Sequence, residues 1–137
     1  MKRAVLWDSS AILALLDDRD ENHPLALELA TAIARDRRQS IITNYIEVET
    51  HALLLRKLGR ALALEWLVSD TLPVEKATLA DEARAREILL ERRDKDWSLC
   101  DAISFATIER RRIRTAFSFD HHFLQRGGFE VLGAKRR

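Results

Sequence analysis

The chain of 137 residues lacks most of the features that would mark a specialised class. Its one cysteine, Cys100, can make neither an internal disulfide nor a cysteine-based zinc centre, so a reducing cytoplasm is the expected compartment. Two prolines and four glycines exclude collagen-like and linker-like sequence. The longest apolar run, Ala11 to Leu16, falls well below the ~18 residues a membrane span needs, so no membrane association is expected. Met1 to Trp7 has neither the apolar length nor the cleavage site of a secretory signal. Neither sign of charge dominates, since 23 Lys/Arg stand against 22 Asp/Glu. What remains is 47% hydrophobic and 33% charged, the composition of one soluble domain over residues 1–137. A domain of this size buries roughly 68% of its unfolded surface, enough for a core without metals or cross-links.

The near-zero net charge conceals clusters. Arginines gather at Arg35, Arg37 and Arg38, at Arg92 and Arg93, at Arg110, Arg111, Arg112 and Arg114, and at Arg136 and Arg137. Such groups suit a phosphate backbone, although solvated helix ends produce the same pattern.

Short apolar runs alternate with helical stretches. Ala4 to Trp7 reads as a buried strand, and Asp8-Ser9-Ser10 opens a helix to Leu16. After a polar loop, Pro24 begins a helix to about Arg35, and Ser40 to Thr43 is a second strand. Asn44 is expected to cap a helix ending at Leu58 before Gly59, followed by a helix over Arg60 to Val68. Leu72-Pro73-Val74 is at most an edge strand, while Thr78 and Ser98 open further helices. Arg114 to Phe119 and Phe129 to Leu132 complete the strands. The pattern predicts a three-layer α/β domain with a short parallel sheet flanked by helices.

In such sheets chemistry lies beyond the carboxyl ends of the strands, where Asp8 and Asp120 emerge. Either one alone also reads as a helix cap. At about 100° per residue, Tyr45, Ile46, Val48, Ala52 and Leu53 form an apolar arc that contains Glu49, whereas Glu47 falls beside His51 and Leu54. A carboxylate on an inward arc needs a partner, either Arg56 along the same helix or a cation. Asp101 shares a row with Phe105 and Ile108, and it also stands third after Ser98 as in a capping box. Asp94 and Asp96 precede that helix. Acids converging from several elements would repel one another, so a hard divalent cation such as Mg²⁺ or Mn²⁺ is the natural occupant, suited to phosphodiester cleavage.

At these residues the sequence resembles PIN domains, and within them the VapC toxin subgroup. The resemblance rests on Val5 to Ala11, on Ile42 to Thr50, on Asp94 to Phe105 and on Ala116 to Phe123. It implies metal-dependent cleavage of single-stranded RNA by an endoribonuclease. The catalytic and metal-holding acids would be Asp8, Glu49, Asp101 and Asp120, with Asp96 secondary. Ser10 and Ser118 would orient them, and basic residues round the rim would hold the RNA. It further implies a homodimer and a cognate antitoxin, for which the apolar helices Ala11 to Leu16 and Leu53 to Leu64 offer surface. Glu47 stands where an aliphatic residue is usual in the family. Cys100 stands where threonine or a small residue is commoner, and with no basic partner adjacent it reads as packing.

Two other readings compete. A haloacid-dehalogenase-type phosphatase would want a second Asp two residues after Asp8, where Ser10 stands. A catalytically silent PIN domain, acting as an RNA-binding or scaffold module, would not need all four acids.

Overall fold

The computed structural model describes residues 3–135. The Arg136 and Arg137 cluster falls outside them. The strands are β1 (Ala4–Trp7), β2 (Gln39–Thr43), β3 (Val74–Glu75), β4 (Thr115–Ser118) and β5 (Glu130–Gly133). Between them lie α1 (Ser9–Leu16), α2 (His23–Arg35), α3 (Asn44–Leu58), α4 (Arg60–Ser69), α5 (Leu79–Glu91), α6 (Leu99–Arg111) and α7 (His121–Arg126). All strand pairs are parallel, in the order β3-β2-β1-β4-β5.

Parallel pairing explains the apolar runs. Consecutive residues Val5, Leu6 and Trp7 are buried, as are Thr115 to Ser118, which requires helices on both faces of the sheet. The expected three-layer α/β architecture is present. The chain moves outward from β1 to β2 and β3, then returns through α5 and α6 to β4 on the other flank of β1. The direction of winding therefore reverses between β1 and β4, where strand ends splay and leave a crevice.

Helix α6 is the most enclosed element, with Asp101 to Ile108 buried without interruption. Phe105 meets Trp97 at 5.2 Å and Phe123 at 5.1 Å between ring centroids, both edge-to-face. Such pairs add about 0.5–1.5 kcal/mol each beyond their buried area. Here they fasten α7 and the 97–98 turn beside the crevice.

Two expectations need correction. Thr43, not Asn44, caps α3: its hydroxyl accepts from the Ile46 N–H at 3.0 Å, while Asn44 Oδ1 accepts from the Ala77 N–H and ties down the segment before α5. The phase of α3 also differs. Ile46, Thr50 and Leu54 form the buried stripe, whereas Val48 is 69% exposed. Apolar residues occur all round this helix, so periodicity alone leaves its orientation open and tertiary contacts choose the i, i+4, i+8 row. The helix cap read at Asp120 is present and opens α7, a six-residue helix for which the sequence set no bounds.

Candidate active site

The crevice at the carboxyl end of β1 and β4 is a cleft of about 440 Å³. Its walls include Asp8, Glu49, Asp101, Asp120 and His122. Thus β1, α3, α6 and the start of α7 each deliver one acid to the same space.

Asp8 is only 3% exposed. Although it occupies the N-cap position of α1, its side chain makes no capping hydrogen bond. Instead its Oδ2 accepts from Ser10 Oγ at 2.7 Å and from Ser118 Oγ at 3.0 Å. Each serine is oriented in turn by the backbone, Ser10 Oγ accepting from the Phe119 N–H and Ser118 Oγ from the Asp120 N–H. Burial, reinforced by the nearby Asp101 and Glu49 charges, pushes the Asp8 carboxyl up to about 7 despite the two hydroxyl donors.

Glu49 comes from the half-buried flank of α3, and its Oε1 accepts from Ser9 Oγ at 2.6 Å. No ion pair joins it to Arg56 among the described residues. Asp101 completes a capping box with Ser98: the Asp101 N–H donates to Ser98 Oγ, and Asp101 Oδ2 accepts from the Ser98 N–H. The same Oδ2 lies 2.9 Å from His122 Nδ1. Asp120 caps α7 through Oδ1, which accepts from the His122 N–H at 2.9 Å. The structural and cleft-lining roles of Asp101 and Asp120 therefore coexist in single residues.

A pattern emerges from the oxygen atoms. Asp8 and Asp101 each gather their internal hydrogen bonds on Oδ2, and Asp120 uses Oδ1. Among the described residues, the other oxygen of each accepts none. These hard oxygen donors around a buried carboxylate fit a divalent cation, because a cation would both neutralise the cluster and occupy the unused oxygens. Asp120, His121 and His122 also bring one ligand atom apiece to within 4.8 Å of one another.

Other expected residues fall elsewhere. Asp96 is exposed and does not line the cleft, and Asp94 pairs with Arg92 at 3.0 Å. Nor does any Lys or Arg line the cleft itself among the described residues. Burial, then Glu49 and Asp8, push the Cys100 thiol well above its ordinary range, which keeps it protonated and unreactive. Ser9, Asp20, Asn22 and His122 line the cleft without having been selected from sequence. Ser9 adjoins Asp8 and His122 follows Asp120 by two, but adjacency alone does not choose between neighbouring polar side chains.

A parallel α/β sheet thus brings four acids together at its switch point. The sequence profile of the PIN domain matches residues 5–128, and the chain belongs to the PIN-domain family. A curated relative from Mycobacterium tuberculosis, the 23S rRNA-specific endonuclease VapC20, is 33% identical over 92 residues, covering 65% of this chain and 70% of the relative. The crystal structure of that protein, described as a Sarcin-Ricin loop cleaving toxin, superposes with TM-score 0.80 at 28% identity, covering 93% of this chain and 98% of the other. A DNA-bound VapBC from Salmonella typhimurium shares the fold, with TM-score 0.68 at 14% identity and coverage of 96% and 97%.

Proposed function

We propose that the chain is a divalent-cation-dependent endoribonuclease cleaving single-stranded RNA, and the toxin of a toxin–antitoxin pair. The observation that carries this reading is the buried Asp8, facing Asp101 and Glu49 in a cleft that no Lys or Arg lines among the described residues. Asp8, Glu49, Asp101 and Asp120 would hold Mg²⁺ or Mn²⁺, and the all-oxygen set favours these hard ions. When bound, the ion supplies an acidified water and charge stabilisation at the leaving oxygen. Ser10 and Ser118 fix the Asp8 carboxylate, Ser9 fixes Glu49, and His122 with Ser98 fixes Asp101. Asp120, with a side chain 32% exposed against 8% for Asp101, is the acid open to take a proton from the attacking water.

The names of the relatives support an antitoxin partner and action on RNA. The apolar surface for such a partner, or for a second copy, is on α3 and α4, where Leu55, Leu64 and Val68 are 45%, 49% and 70% exposed. Helix α1 offers less, because Ala11, Ile12 and Ala14 are buried within the chain itself and Leu16 is its exposed apolar residue. No helix among the described residues is long and apolar enough to cross a membrane.

The test is cleavage of a labelled single-stranded RNA by chelator-stripped protein, with Mg²⁺ or Mn²⁺ added back. Divalent-dependent cleavage that vanishes in Asp8→Asn is expected. Tight RNA binding without cleavage under any divalent ion would select the silent RNA-binding module instead.

A further inference from the structure

The arginines missing from the cleft stand at the other end of the sheet. Arg3 precedes β1, Arg37 precedes β2 by two residues, and Arg112 and Arg114 precede β4. All four are exposed and, among the described residues, none makes an ion pair. Two cavities, of about 550 and 420 Å³, both include Arg112, Ile113 and Arg114 in their walls. The two adjoin along these residues, and together their walls reach from Arg3 and Gln39 to the Gly127-Gly128 turn, a groove in two parts. The nearby acids are already engaged: Glu109 pairs with Arg84 and Arg126, Glu75 with Arg110 and Arg111, and Glu130 accepts from Thr115 Oγ1.

A second observation is independent of charge. Arg37 and Arg112 both adopt the left-handed backbone region, with φ of 55° and 53°, just beyond the ends of α2 and α6. Glycine is the favoured residue at such helix exits, because it has no Cβ to strain. Two helices thus carry arginine at a position where the backbone prefers glycine: Arg112 lines the groove, and Arg37 stands two residues before Gln39, which also lines it.

We infer that this rim is a second nucleic-acid contact, gripping the phosphate backbone of an RNA beyond the segment in the cleft. The inference rests on the ribonuclease reading for its choice of RNA. The groove spans several strand entries, wider than one phosphate. None of the exposed large apolar residues lies on it, so it lacks the anchors on which protein interfaces centre. Charge without an apolar centre is the signature of backbone recognition. Acids at the carboxyl ends of the strands and arginines at their amino ends, separated by about 13 Å of strand, make the domain electrostatically polar along the sheet.

The experiment measures binding of a fluorescein-labelled RNA hairpin by anisotropy across a salt series. It uses chelator and an Asp8→Asn parent, so that nothing is cleaved. Arg112→Gln with Arg114→Gln should weaken binding at least tenfold and lower the salt slope by about two. Arg3→Gln with Arg114→Gln, which leaves the left-handed positions untouched, should do the same. Binding by both pairs within twofold of the parent overturns the proposal. So does an equal loss in Arg92→Gln with Arg93→Gln, away from the groove, since net charge alone would then explain it. Competition by poly-L-glutamate as strong as by unlabelled hairpin would overturn it in favour of an acidic protein partner. Divalent-dependent cleavage by the unaltered chain is scored separately, so the rim can fail while the nuclease reading stands.

Discussion

Helices α5 and α6 open with the same device, and the two copies have opposite fates. In each, a hydroxyl residue caps the helix and an Asp three places on closes the box: Thr78 with Asp81, and Ser98 with Asp101. Both acids are nearly sealed from solvent. At Asp81 both oxygens are spent, because Arg110 Nε donates to Oδ1 at 2.8 Å while Nη2 and the Thr78 N–H reach Oδ2. Those bonds outweigh the cost of burial and hold the Asp81 carboxyl below its usual range. Asp101 has no arginine, keeps one oxygen unused, and looks across at the raised carboxyl of Asp8. One acid is structural because a guanidinium neutralises it; the other remains available because none does. Between these two helices, arginine placement separates an acid spent in the framework from one left open to the cleft.

The contrast can be broken most severely at Asp8. Asp8→Asn should reduce RNA cleavage by at least two orders of magnitude in a single-turnover assay, while raising stability in chelator at pH 8 by about 2–4 kcal/mol. The sign follows from the raised value: the folded state holds the Asp8 proton between about 4 and 7, so metal-free stability falls as pH rises through that window. Denaturant titrations at pH 5 and 8 should show this fall in the parent and not in the variant. Glu49→Gln should likewise cost activity by orders of magnitude, with Glu47→Gln nearly silent, since only Glu49 lines the cleft. Equal losses in the pair would show that the cleft does not select between them.

On the framework side, Arg110→Met should cost about 2 kcal/mol by leaving Asp81 unpaired, the lower end for a buried acid because the guanidinium is 36% exposed. Here the pH sign reverses. The lowered Asp81 value contributes stability that is lost as pH falls through the acid range, so the variant should unfold with a shallower acid dependence. The smallest effects belong to the caps. Thr78→Ala and Ser98→Ala should each cost about 1 kcal/mol in thermal unfolding. Only Ser98→Ala should also depress cleavage, because it releases a carboxylate that lines the cleft.

This sorting was only half legible in the sequence. The strands and most helix starts were readable from local features: apolar quartets such as Ala4 to Trp7, caps at Thr78 and Ser98, and Gly59 as a stop. Strand ends then brought Asp8 and Asp120 to one rim without further information. The partner of each acid was not readable, because Arg110 lies 29 residues beyond Asp81 and His122 lies 21 beyond Asp101. The orientation of α3 was hidden by its surplus of leucines, and Thr50, a polar residue at 0% exposure, is part of the stripe that turns inward. The cap at Asp120 was readable but the extent of α7 was not, because six residues carry too little periodicity to register.

The unbroken burial of Asp101 to Ile108 has a consequence for how the cleft opens in time. A helix with no solvent face cannot unravel alone, so its central amides should exchange with deuterium only through opening of the whole domain. Helix α7 is short and solvent-facing, anchored mainly by Phe123 and by the Trp97 Nε1 bond to Gln125 Oε1. Its amides should exchange earlier, by local fraying. The enclosed middle of the α6 wall should therefore last as long as the fold itself, while α7, which Asp120 caps, should open and close without unfolding the rest.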